Sequence, residues 1–253
     1  ALGNAYGSNI TNITLVAGLT ALISPIAVQS GIIRKELPLL LAISFFSVWQ
    51  LMDFELSHDD AISLLGIFVL LIIWSIWHAK NDKGDKLADE VTESIKGDKT
   101  QLKPHLIWLI LGLVVLVISS RVLVWGAVEI ATYFEVSDVI IGLTIIGIGT
   151  SLPELISSLI AVKKGEHEMA IGNVVGSNMF NTLAVIGLAG VIQPVTVDAV
   201  FFYRDALLML AVTVALLVFC LGIKKPGRVN RLEGGALLSC FVIYNYYLIS
   251  TSF

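Results

Sequence analysis

What this chain has little of narrows its identity first. Only 14% of its 253 residues are charged, well below the roughly one quarter usual in a soluble domain. Its two cysteines, Cys220 and Cys240, fall in separate apolar runs, and read as small lipid- or helix-facing residues rather than a disulfide or a metal site. The four histidines, His58, His78, His105 and His167, lie in loops or at the ends of apolar runs. No imidazole is therefore placed inside such a run to hold zinc or copper, or to act as a base. The 16 lysines and arginines are too dispersed for a nucleic-acid surface. The one long polar segment, 80–103 (KNDKGDKLADEVTESIKGDKTQLK), is too short for a separate domain and reads as a solvated linker.

What is present is hydrophobicity. Apolar residues make up 56% of the chain and mean hydropathy is +0.87. Eight apolar runs stand out, at about 3–24, 37–52, 61–79, 104–131, 139–162, 169–192, 205–222 and 232–250, most of them near the ~20 residues that cross a bilayer core. The expected fold class is an all-α polytopic membrane protein, with the lipid bilayer as its partner. Of the 16 basic residues, 14 fall in the loops of one side, the exceptions being Arg121 within the fourth run and Arg204 in an opposite loop. The opposite loops hold Asp53, Glu55, Asp59, Asp60, Glu135 and Asp138. The positive-inside rule makes the basic side cytoplasmic, with loop 80–103, and leaves the C-terminus outside.

The chain also repeats itself. Residues 3–42 and 172–211 align without a gap at a constant offset of 169, with 15 identities in 40 positions. The shared pattern G-N-x-x-G-S-N-x-x-N is polar, so it is not the chance agreement of two greasy segments. The copies occupy the first and sixth runs and should cross in opposite directions, as inverted repeats do when a transporter builds a midplane site from both. Asn4, Ser8 and Asn12 are spaced i, i+4, i+8, as are Asn173, Ser177 and Asn181, so each copy carries a polar stripe. Gly3/Gly7 and Gly172/Gly176 place a small-residue pair beside each stripe for close helix approach.

Residues 147–154, GIGTSLPE, put a proline and a carboxylate inside an apolar run. On this reading Glu154 is the one carboxylate well inside a span, where a charge costs about 2.5–3.5 kcal/mol and marks function by default. Pro153 lacks an N–H, so carbonyls around Gly147–Thr150 should lose intrahelical partners, which at this depth is tolerated only when they are buried or face a cavity. Thr150 and Ser151 add hydroxyls. A set of carboxylate, hydroxyl, amide and carbonyl oxygens suits a hard cation, Ca²⁺ or Na⁺. The sequons at Asn9 and Asn12 lie within a run and should stay unmodified. Gly149–Pro153 lacks the last glycine of a nucleophile turn, so the chain does not read as an enzyme.

GTSLPE followed by GN-x-x-GSN-x-x-N resembles the second α-repeat of the cation/Ca²⁺ exchanger superfamily, and 3–12 resembles the later half of the first. The nearest likeness is to bacterial calcium/sodium antiporters of the branch related to K⁺-dependent exchangers. The resemblance implies an inverted-repeat exchanger fold of ten transmembrane helices, eight of them present. Residues 1–79 would be the remainder of the first repeat with three spans, 80–103 a cytoplasmic linker, and 104–253 the second repeat with five spans. It implies Na⁺-driven Ca²⁺ antiport by alternating access in a bacterial inner membrane, with the two ions as substrates and no cofactor. It also implies the cation ligands: Glu154, Thr150, Ser151 and the Gly147 carbonyl on one helix, Ser177 and Asn181 on the next, and Ser8 and Asn12 in the first repeat. Position 181 is Asn where K⁺-dependent members carry Asp, one negative charge fewer. The first repeat's own GTSLPE-like run does not occur in the chain, which starts at Ala1 in mid-pattern. The expectation is a piece of a protein of about 320 residues, lacking roughly 65 at its start. A cation/proton antiporter, a cation channel and an inactive truncated exchanger are the alternative readings.

Overall fold

The structure, a computed structural model, describes residues 2–81, 102–134, 138–221 and 227–251. Most of the linker 80–103 and the last two residues fall outside them. In chain order the helices are α1 (2–23), α2 (32–50), α3 (His58–Asn81), α4 (Leu102–Tyr133), α5 (138–163), α6 (His167–Ile192), α7 (Phe201–Leu221) and α8 (Arg231–Ser250). This is a polytopic all-α membrane fold. Among the described residues, six helices, α3 to α8, are long and apolar enough to cross a membrane. The paths α1 and α2 are not among the six. Asn4, Ser8, Asn9 and Asn12 make the first half of α1 polar, and α2 opens on Arg34, Lys35 and Glu36. Of the eight crossings expected from the sequence, six of the described helices thus have the length and composition to cross.

Local sequence explains several helix boundaries. Pro38 follows closely on the π turn Ile32–Glu36 inside α2, where it lacks the N–H that the regular ladder would use. Helix α8 starts on a capping box: the Asn230 side chain accepts from the Leu232 and Glu233 amides, and the Glu233 carboxylate accepts the Asn230 N–H at 2.7 Å. Among the described residues, five helices contain a wide π turn: Asn12–Ala17 in α1, Ile32–Glu36 in α2, Gly142–Ile146 in α5, Asn181–Val185 in α6 and Phe201–Ala206 in α7. Such turns interrupt the regular ladder and recur at functional sites.

The internal repeat is visible in the elements. The π turns of α1 and α2 recur 169 residues later in α6 and α7. Four two-residue strands pair crosswise: β1 (Ile26–Ala27) with β4 (Arg228–Val229), and β2 (Glu55–Leu56) with β3 (Val195–Thr196), both antiparallel. The end of α1 packs on α8 and the end of α6 packs on α3 in the same crosswise sense. At the first crossing a Cβ on Gly18 would lie 3.1 Å from the Gly234 carbonyl; at the second, one on Gly187 would lie 3.2 Å from that of Ala61.

The apolar core forms two clusters divided halfway along the helices. One holds Leu2–Ile10 of α1, Leu183 and Ile186 of α6 and Phe201–Met209 of α7; the other holds Ile13–Ala21, Ala170–Val175 and Val212–Cys220. The boundary falls at Asn9–Asn12 on α1 and Ser177–Thr182 on α6. The polar residues therefore lie at mid-depth, between two greasy layers.

Candidate cation site

Helices α1 and α5 cross with almost no side chain between them. A Cβ added at Gly7 would lie 2.5 Å from the Leu143 carbonyl oxygen, and one at Gly147 would lie 2.9 Å from the carbonyl carbon of Gly7. This backbone contact brings the stripe of α1 against the Thr150–Glu154 turn of α5, while α6 closes the third side. The result is a cavity of about 630 Å³. All six stripe residues line it: Asn4, Ser8, Asn12, Asn173, Ser177 and Asn181, together with Thr150, Ser151 and Glu154. Of the eight residues expected as ligands, seven are on its wall.

Gly147 is the exception. Its carbonyl lies behind the wall and accepts the hydroxyls of Ser151 at 2.9 Å and Thr150 at 3.2 Å. Pro153 does free a carbonyl, that of Gly149 four residues earlier, but Ser120 on α4 donates its hydroxyl to it at 2.5 Å. The proline thus ties α5 to α4, and what α5 offers the cavity is hydroxyl and carboxylate oxygen. The hydroxyls of Ser8 and Thr150 meet at 2.6 Å across the crossing. Asn173 donates to the backbone carbonyl of Glu154 at 3.2 Å and to the Ser158 hydroxyl at 3.3 Å, fixing the turn that carries the carboxylate.

Two acceptor atoms on this wall are buried and have no hydrogen-bond partner among the described residues: Glu154 Oε2 and Asn12 Oδ1. Each such acceptor ordinarily costs about 1–3 kcal/mol, and more when charged, unless something electropositive fills the gap. Among the described residues no three of His, Cys, Asp and Glu come together to hold a metal. The cavity therefore presents one carboxylate among neutral oxygens, a donor set that matches hard cations and not zinc or copper.

Sequence reasoning missed three groups. Asn9 and Asn178 lie beneath the cavity, 0% and 1% exposed, and tie α1 to α6: Asn9 donates to Thr182 Oγ1 at 2.8 Å and Asn178 to the Asn9 carbonyl at 3.2 Å. Both stand in the repeated motif, one residue past each Ser8/Ser177, and that duplication was the signal available. Asp205 is a second buried carboxylate, in the first turns of its helix rather than well inside the span as Glu154 is. Asp205 is 0% exposed within the Phe201–Leu221 helix. The apolar run begins at 205, which puts Asp205 on its edge, and Arg204, expected in a loop, is helical beside it. Arg204 holds Asp205 through two hydrogen bonds of 2.7 and 2.9 Å, and Tyr244 donates to it at 2.9 Å.

The comparisons agree on one family. A family model described as sodium/calcium exchanger protein matches residues 1–77 and 104–250. The protein CaxA of Alkalimonas amylolytica is 46% identical over 252 residues, which span 99% of this chain and 79% of that protein. The inner membrane protein YrbG of Escherichia coli is 38% identical, over 96% of this chain and 75% of its own length. A solved structure of the sodium-calcium exchanger NCX_Mj superposes with a TM-score of 0.71 at 29% identity, covering 96% of this chain and 74% of that one.

Proposed function

The chain belongs to the sodium/calcium exchanger protein family, and from that premise we propose that it exchanges Na⁺ for Ca²⁺ across the membrane by alternating access to the cavity between α1, α5 and α6. The observation that carries this reading is the pair of buried, partnerless acceptors, Glu154 Oε2 and Asn12 Oδ1, on the wall of a single oxygen-lined cavity. A cation bound there satisfies both. Glu154 supplies the charge; Thr150, Ser151, Ser8, Ser177, Asn12 and Asn181 supply neutral oxygens; the Gly147 carbonyl holds the Thr150 and Ser151 hydroxyls from behind.

Ca²⁺ accepts 6–8 oxygens at about 2.3–2.6 Å in flexible geometry, which hydroxyls and amides on three helices can provide. One cavity serving both ions makes them competitors. Each passage of the cavity from one side to the other then carries one kind of ion, the return passage carries the other kind the opposite way, and the Na⁺ gradient supplies the work. The ions are substrates and no cofactor enters the cycle. Residues 1–79 and 104–253 act as two halves of opposite orientation joined by the cytoplasmic segment 80–103, in an inner membrane, with the C-terminus outside. The crosswise strand pairs and the mid-depth cavity between α1 and α6 support that arrangement.

The test is Ca²⁺ uptake into proteoliposomes preloaded with Na⁺ and diluted into Na⁺-free buffer. Uptake should require the Na⁺ gradient and should vanish in Glu154→Gln, which keeps the shape and removes the charge. Uptake unaffected by Glu154→Gln refutes the assignment. A conductance needing no counter-ion would mark a channel, and uptake driven by a proton gradient alone would mark a cation/proton antiporter.

A further inference from the structure

Building on the proposed cation site, we infer that Asn9 and Asn178 bind no ion themselves but decide which end of the Asn181 and Asn12 amides faces the cation. A primary amide has two ends of nearly equal size, and only the oxygen end attracts a cation. The Asn12 Nδ2 group donates to Asn178 Oδ1 and to Ser177 Oγ, both at 3.0 Å, which turns its Oδ1 to the side where no donor meets it. The Asn181 Nδ2 group donates to Asn9 Oδ1 at 3.1 Å, the matching bond 169 residues away in the repeat. The pairing is crosswise: Asn178 of α6 orients the ligand on α1, and Asn9 of α1 orients the ligand on α6.

The orienting amides are themselves fixed. Asn9 gives its N–H to Thr182, and Asn178 gives its N–H to the Asn9 backbone carbonyl. Each amide thus has its nitrogen end turned to that partner and its oxygen end turned to the opposite asparagine. Neither lines the cavity, so they are positioning residues. If Asn178 loses its oxygen, only the rotatable Ser177 hydroxyl still holds the Asn12 amide, which can then turn and present N–H to a cation. A carboxylate at position 12 would need no such control, because both its ends are oxygen.

That difference supplies the test, read as KM against maximal rate for Na⁺-driven Ca²⁺ uptake in proteoliposomes. Asn178→Ala should raise KM for Ca²⁺ roughly tenfold, the loss of one oriented ion–dipole contact, with the maximal rate and the yield of folded protein little changed. Adding Asn12→Asp to that variant should bring KM back to within about threefold of the native value. Asn12→Asp alone should not, since its added oxygen faces Asn178 Oδ1. An unchanged KM in Asn178→Ala overturns the inference, and so does a raised KM that Asn12→Asp fails to lower, because a merely structural defect would not be repaired from position 12. Should Asn178→Ala not fold, Asn9→Ala and Asn9→Ala/Asn181→Asp carry the same comparison; if neither alanine variant folds, the two residues are structural and the inference falls. Native protein that shows no Na⁺-coupled uptake defeats the proposed function instead, so the two failures are distinguishable.

Discussion

Gly234 and Gly235 are neighbours on α8, yet the same substitution should move stability in opposite directions. In both cases alanine improves helix propensity by up to about 1 kcal/mol. The surroundings differ. A Cβ at Gly234 would lie 2.7 Å from the Gly18 carbonyl oxygen, 2.8 Å from the Leu22 nitrogen and 2.9 Å from the Ala21 Cβ, whereas one at Gly235 would meet only the tip of Leu22, at 3.9 Å. Two of the three atoms near Gly234 are backbone and cannot step aside without moving α1. Overpacking of that kind typically costs about 1–3 kcal/mol, which outweighs the propensity gain, while at Gly235 the gain stands alone. The difference between the two variants is therefore about 1–3 kcal/mol. For a chain of this size, roughly 2–4 °C of melting temperature corresponds to each kcal/mol. Thermal unfolding of the two purified variants in one detergent should separate them by several degrees, Gly235→Ala at or above the native protein and Gly234→Ala below it. Equal midpoints, or Gly234→Ala the more stable, would refute the reading of this crossing as a backbone contact.

Two further outcomes follow from the buried hydrogen bonds. Ser120→Ala leaves the Gly149 carbonyl, freed by Pro153, without its donor and should destabilise by about 1–3 kcal/mol; a melting temperature unchanged from native would mean that the proline is accommodated some other way. Arg204→Ala should be the more damaging change at the α7–α8 contact, about 3–5 kcal/mol, because it strands the buried Asp205. Arg204→Ala/Asp205→Asn should recover much of that loss, and Tyr244→Phe should cost only about 1–2 kcal/mol; melting curves of the three variants in that order check the assignment.

Much of the cavity could be read from the sequence because the residues that line it obey helical spacing. Asn4, Ser8, Asn12 and their counterparts at 173, 177 and 181 sit four residues apart, and all six reach the same cavity. Glu154 and Thr150 were visible for the same reason. The fate of the carbonyls was not. Pro153 announces a free carbonyl, but only the structure shows that Ser120, on another helix and 29 residues earlier, is the group that takes it. Asp205 was hidden by a different ambiguity. An apolar window cannot place its own edge, and the Arg–Asp pair looked like a loop when it is a helical turn whose charges satisfy each other and Tyr244.

The repeat explains the site's symmetry, and single side chains explain where the symmetry stops. Asn9 and Asn178 occupy equivalent positions, and each accepts an N–H of the opposite cavity-lining asparagine, Asn181 and Asn12 respectively. Their own N–H groups go to different partners. Asn9 donates to Thr182, but the residue equivalent to Thr182 in the first copy is Ile13, which has nothing to accept. Asn178 is left to donate to the main chain of α1 instead. A hydroxyl can rotate away, whereas a backbone carbonyl moves only with its helix. Asn178 is thus held more firmly to α1 than Asn9 is to α6, and Asn12 is the more firmly oriented of the two outer amides. Thr182→Val, which removes the acceptor and keeps the shape, should loosen only the Asn9–Asn181 arm. Uptake kinetics should then show a modest rise in KM that Asn181→Asp cancels and Asn12→Asp does not. Cancellation by Asn12→Asp would mean that the two arms are not independent.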